Sequence, residues 1–224
     1  MQSQGYAVCG SPEQETALAS LCNDGQTVFI VDDDEAVRDS LVELLHSVGL
    51  HAEAFDSAQS FLTDCSQRRP ACLLLDVRLP GMSGLQLQDR LLDQGTDMPI
   101  VFITAHGDLP MAVEALKKGA HDFVEKPLGG RDILSKVEAA LAADAERQQR
   151  QAQTAVLRER LARLSARERQ ILNLLAAGES PKRIGYLLGI SIKTVYFHRA
   201  NLLEKLQAAS LPSLVLRLQR SGLQ

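Results

Sequence analysis

Long apolar runs are missing from this chain. Nowhere in its 224 residues do eighteen apolar residues follow one another, so no segment reads as a membrane-spanning helix. Met1 to Gly10 have neither the basic start nor the apolar stretch of a secretory signal. The expectation is a cytoplasmic protein with no membrane partner. Cysteine is scarce and scattered. Cys9, Cys22, Cys65 and Cys72 form no CxxC pair, and none stands near a histidine at zinc spacing. Reduced thiols are expected, with Cys72 buried in an apolar run. Proline is absent from 129–164, and glycine is absent from that stretch after Gly130. A segment so rich in Ala, Gln, Arg and Glu is expected to form a long helix. Its middle, from Ala142 to Thr154, is polar all round and reads as a solvated arm or a frayed linker.

Apolar residues make up 45% of the chain, enough for packed cores. The net charge of −4 hides an asymmetry. Residues 26–127 hold 17 acidic and 8 basic side chains, whereas 165–224 hold 3 acidic and 9 basic. Two domains with different partners are implied, and nucleic acid is the natural partner of the basic one. Residues 1–26 read as a polar, loosely attached tail.

From Thr27 a pattern repeats. Short apolar or β-branched runs stand at 27–31, 51–55, 71–75, 99–103 and 121–124. Helical periodicities lie between them: Val37 to Val48, Ala58 to Leu62, Leu85 to Leu92, and Met111 to Lys118. Five alternations of this kind predict an α/β domain with a five-stranded parallel sheet covered on both faces. Function in such sheets gathers at the carboxyl ends of the strands. Asp32, Asp33 and Asp34 follow the first strand, Asp76 the third, Thr104 the fourth and Lys126 the fifth.

Clustered carboxylates repel unless a cation lies between them. Oxygen donors of this kind suit Mg²⁺. A metal beside Asp76 would let that carboxylate take a phosphoryl group as an aspartyl phosphate. Lys126 and Thr104 would then serve the phosphoryl oxygens. Any one of these residues alone would be an ordinary loop residue; only the set points to this chemistry.

The segments VDDD, LLLDVRLPGMSG, ITAHGD and FVEKP resemble the motifs of the response-regulator receiver domain, a doubly wound, flavodoxin-like fold. The resemblance implies phosphorylation of Asp76 by a sensor histidine kinase. It also implies metal ligation by Asp32, Asp33, Asp76 and the backbone carbonyl of Arg78. Thr104 and Phe123 resemble the pair that moves on phosphorylation, although Phe123 fits plain core equally well. Lys126–Pro127 resembles the family's cis peptide. The run from Ile103 to Pro127 is most similar to the FixJ branch. That likeness implies dimerisation through the fourth helix and fifth strand, near Met111, Val113 and Leu116.

The last sixty residues read as four helices. Ser165 with Glu168 makes a capping box, and Ser180 with Pro181 opens the second helix. Ser191 caps the third, and Ser210 starts the fourth. The run from Leu164 to Leu206 resembles the LuxR/FixJ-type helix-turn-helix, and the likeness extends over about 161–218. It implies binding to double-stranded promoter DNA, with RNA polymerase as a further partner. Tyr196, Phe197 and Ala200 occupy base-reading positions. Lys182, Arg183, Lys193, Thr194, His198, Arg199 and Lys205 are the candidates for phosphate contact. Gly185 stands where the family often has Ala. In a helix it costs up to about 1 kcal/mol unless it permits close packing.

The expected organisation is a tail (1–26), a receiver domain (27–130), a helical linker (131–160) and a helix-turn-helix domain (161–224). The expected function is a phosphorylation-dependent transcription regulator, not an enzyme. Two rivals remain open at this point: a regulator that binds DNA without phosphorylation, and a Mg²⁺-dependent phosphohydrolase.

Overall fold

A computed structural model describes residues 25–65, 68–105 and 109–223. The expected tail, including Cys9 and Cys22, lies almost wholly outside the described residues. The chain divides into two compact units at Gln148/Gln149.

The first unit is built on five parallel strands: β1 (Thr27–Val31), β2 (His51–Phe55), β3 (Ala71–Asp76), β4 (Ile100–Thr104) and β5 (Asp122–Glu125). Their order in the sheet is β2-β1-β3-β4-β5. Helices α1 (Glu35–Ser47), α2 (Ala58–Asp64), α3 (Gly84–Asp93) and α4 (Leu109–Lys117) alternate with them. The unbroken apolar character of β1 and β3 follows from burial on both faces. Phe29, Val31, Leu73 and Leu75 enter one core with Phe61, Leu87 and Leu91. Their neighbours Val28, Ile30, Cys72 and Leu74 enter the other, with Leu41, Leu45, Ile133 and Val137. Period two in a strand sends alternate side chains to opposite layers. Each fully buried Leu or Phe contributes about 1.5–3 kcal/mol.

The helices start where hydroxyl or carboxylate caps stand. Asp34 accepts from the Ala36 N–H at 2.9 Å and begins α1. Ser83 and Gln86 form a capping box that begins α3. Each cap satisfies an otherwise orphaned N–H and stabilises its helix by about 1 kcal/mol.

Helix α5 (Gly130–Ala162) belongs in part to each unit. In the first unit Ile133, Val137, Ala140 and Leu141 are core residues. The expected solvation of 142–154 fails at Asp144. This carboxylate is fully buried, accepting from Arg69 Nη1 at 2.8 Å and from the Ala71 N–H at 2.9 Å. A buried carboxylate is tolerable because both oxygens are satisfied.

The second unit adds α6 (Ala166–Ala176), α7 (Pro181–Leu188), α8 (Ile192–Lys205) and α9 (Leu211–Arg220). The expected caps at Ser165, Ser180, Ser191 and Ser210 are all present. Leu157, Leu172, Leu202, Leu206, Leu214 and Leu218 form one core. Ile171, Leu175, Ile184 and Val195 form a second. Gly185 closes the turn between α7 and α8. The Ile190 N–H donates to its carbonyl at 3.0 Å, and a Cβ there would lie 2.9 Å from the Ile190 carbonyl oxygen. Close packing therefore accounts for the glycine. Among the described residues no helix is long and apolar enough to cross a membrane.

Candidate functional site

Parallel pairing brings the carboxyl ends of the strands into line. Val31 pairs with Leu75, Asp76 with Ile103, and Thr104 with Glu125. Asp76 is therefore the last residue of β3, and Thr104 the last of β4. Asp32 and Asp33 follow β1 directly. Asp32 is fully buried, Asp76 is nearly so, and Asp33 opens to solvent. Carboxylate oxygens of all three lie within 4.8 Å of one another.

Lys126 bridges this acid group. Its Nζ donates to Asp76 Oδ2 at 2.6 Å and to Asp32 Oδ2 at 3.1 Å. Burial alone would lower the lysine's pKa, but the bonds from Asp76 and Asp32 outweigh it and hold the pKa above its ordinary value. Burial pushes the Asp32 carboxyl up, against the Asp34 N–H and Lys126, which pull it down. One ammonium facing three carboxylates leaves net negative charge. Oxygen-only donors at this spacing fit a hard divalent cation held by Asp32, Asp33 and Asp76.

Backbone geometry aims the Asp76 side chain. The Arg78 N–H donates to its Oδ1 at 2.9 Å. Gly84 was missed as a site residue. A Cβ at this position would meet the Asp76 carbonyl oxygen at 2.2 Å. The first residue of α3 thus lies directly against the end of β3, and a side chain has no room. The signal in the sequence was a glycine just after the Ser83 cap.

Thr104 ends β4 and Phe123 lies within β5. The Thr104 hydroxyl donates to the Ala105 carbonyl at 3.0 Å. Phe123 is half-buried at the sheet edge, with Lys136 Nζ 5.8 Å from its ring centre, and packs against the first core. The Lys126–Pro127 peptide is cis, as the resemblance implied.

In the second unit the free face of α8 carries Lys193, Tyr196, Phe197 and Ala200, all exposed. Val195 and Leu202 hold the opposite face. Thr194, His198 and Arg199 lie between the two. Lys182 and Arg183 project from α7, with the Arg183 guanidinium 5.5 Å from the ring centre of Tyr186. The structure redirects Lys205. Its ammonium donates to Glu168 Oε2 at 2.8 Å, where the Ser165 N–H also donates. Lys205 and the Ser165 N–H hold the Glu168 carboxyl down at about 2. Lys205 is thus committed to a near-buried anion on α6, and a phosphate contact would have to compete with that bond.

The sequence pattern of the family described as response regulator receiver domain matches residues 28–138. That of the bacterial regulatory proteins of the luxR family matches 162–218. The transcriptional regulatory protein TdiR of Thauera aromatica is 45% identical over 188 residues, covering 84% of this chain and 83% of that protein. FixJ of Azorhizobium caulinodans is also 45% identical over 188 residues, covering 84% and 89%. The solved structure of the response regulator StyR shares 43% identity at a TM-score of 0.77, covering 88% of this chain and 99% of that one.

Proposed function

Since this chain belongs to the response regulators of two-component systems, with a receiver domain and a luxR-type DNA-binding domain, we propose that phosphorylation of Asp76 controls its binding to promoter DNA. Regulators of this family act on transcription and are not enzymes. The observation that carries the reading is the Asp76 carboxylate, held at the end of β3 by the Arg78 N–H and joined through Lys126 to buried Asp32.

A sensor histidine kinase supplies the phosphoryl group. An Asp76 oxygen forms the new bond to phosphorus as the donor's own bond breaks, and the donor's leaving group departs with the bonding electrons. Asp32, Asp33 and Asp76 would hold Mg²⁺, with the Arg78 carbonyl as a fourth protein ligand. Its charge would offset that of the incoming phosphoryl group. Lys126 releases Asp76 and pairs with a phosphoryl oxygen instead. The Thr104 hydroxyl turns from Ala105 to the same group, and Phe123 moves with it at the sheet edge. A homodimer forms through α4 and β5, bringing two helix-turn-helix domains to one paired site. Two modest DNA interfaces then gain by effective concentration. The protein works in the cytoplasm, with RNA polymerase as a further partner.

The chemistry is tested with radiolabelled acetyl phosphate and Mg²⁺. Wild-type protein should take up one acid-stable, base-labile phosphoryl group per chain, and Asp76→Asn should take up none. Equal labelling of the variant at the same rate would place the acceptor elsewhere.

A further inference from the structure

The surface that α8 offers to DNA is apolar at its centre. Phe197 is 62% exposed and Tyr196 53% exposed. Ala200 is exposed one turn further on. The Phe197 ring meets the His198 ring edge-on at 5.8 Å. Neither Phe197 nor Ala200 has a polar side-chain atom, and Tyr196 has one hydroxyl. None can make the two-pronged hydrogen bonds by which Arg reads guanine or Asn reads adenine. An apolar side chain in the major groove reads one feature, the C5-methyl of thymine. Charge identifies the partner. Residues 165–224 hold nine basic side chains against three acidic. Lys182 and Arg183 are exposed on α7 and Lys193 on α8, with Arg199 of α8 half-buried, a set of cations that complements phosphates.

We propose that Phe197 and Tyr196 set the DNA specificity of this protein by packing against thymine methyl groups. This rests on the reading of α8 as the DNA-recognition helix. The basic side chains fix register on the backbone without choosing a sequence, whereas the two rings choose base pairs that present a methyl. A site read in this way is T-rich beneath the first two turns of α8.

The test begins with in vitro selection of a site from random duplexes by the phosphorylated full-length chain. Each thymine of the selected site is then replaced by uracil, which removes the methyl and no hydrogen-bonding group. Binding should weaken about three- to fivefold at one or more thymines per half-site. That penalty should disappear in Phe197→Ala or Tyr196→Ala. Both side chains lie in solvent, so neither variant removes a core residue. Uracil duplexes bound as tightly as the thymine site, or a penalty equally large in both variants, would overturn the proposal. If selection enriches no sequence at all, the reading of α8 as the recognition helix falls, and the proposal with it.

Discussion

Gly84→Ala should lose about 2–3 kcal/mol of stability and slow phosphorylation at Asp76 on the order of 10–100-fold. Alanine is the better helix former, by about 1 kcal/mol, so propensity predicts the opposite sign. Sterics decide. The new Cβ would lie 2.2 Å from the Asp76 carbonyl oxygen, 3.1 Å from its carbonyl carbon and 3.2 Å from Leu75 Cγ. Two of these neighbours are backbone and cannot rotate away. Either α3 moves off the sheet or the end of β3 shifts, and the Gly84 N–H bond to the Val77 carbonyl is strained with it. Urea denaturation followed by circular dichroism measures the first effect, and acetyl phosphate labelling the second. Ser83→Ala provides the contrast. It removes the capping box and about 1 kcal/mol, but leaves Asp76 where it is and should label at nearly the wild-type rate. Equal slowing in both variants would show that general loss of α3 stability, not displacement of Asp76, is responsible.

Lys126→Met should destabilise the receiver domain by about 2–3 kcal/mol at neutral pH without divalent cations. Removing one partner from a buried ion pair leaves the other charges uncompensated. Here the ones left are Asp32, fully buried, and Asp76, nearly so. The partial exposure of the lysine, 28%, keeps the loss at the lower end. Methionine retains the bulk of the stem, so the effect isolates charge. Millimolar Mg²⁺ should narrow the gap between variant and wild type, since a cation bound to the same carboxylates stabilises the folded state by mass action. A variant as stable as wild type in EDTA would mean that the three acids tolerate one another without the ammonium. A gap unchanged by Mg²⁺ would argue that they do not form a cation site.

Most of the receiver fold was legible because its signals are local. Apolar runs gave the strands, three-four periodicity gave the helices, and caps such as Ser83, Ser165 and Ser191 marked the starts. The helix expected from Met111 in fact begins at Leu109, because proline is tolerated in a first helical turn. What stayed hidden depends on partners far away in sequence. Asp144 sits in a stretch that reads as solvated, yet Arg69, 75 residues earlier, draws it into the interior. Lys205 looked free for phosphate until Glu168, 37 residues earlier, claimed it. Gly84 stood inside a recognisable motif, but its contact with the Asp76 carbonyl appears only when α3 folds onto β3. Likewise, no pattern tells whether the Thr104 hydroxyl faces the acid group or its own neighbour's carbonyl.

The claim that binds the two domains into one function is that phosphate on Asp76 raises affinity for DNA. The direct measurement is the equilibrium affinity of the full-length chain for its selected duplex, at one fixed salt concentration, with and without acetyl phosphate and Mg²⁺. Wild-type affinity should rise roughly tenfold or more on phosphorylation, with two chains bound per site, while Asp76→Asn should stay at the unphosphorylated level under both conditions. Equal affinity of the phosphorylated and unphosphorylated wild type would contradict it, and would leave a DNA-binding protein whose acidic pocket does not govern its binding.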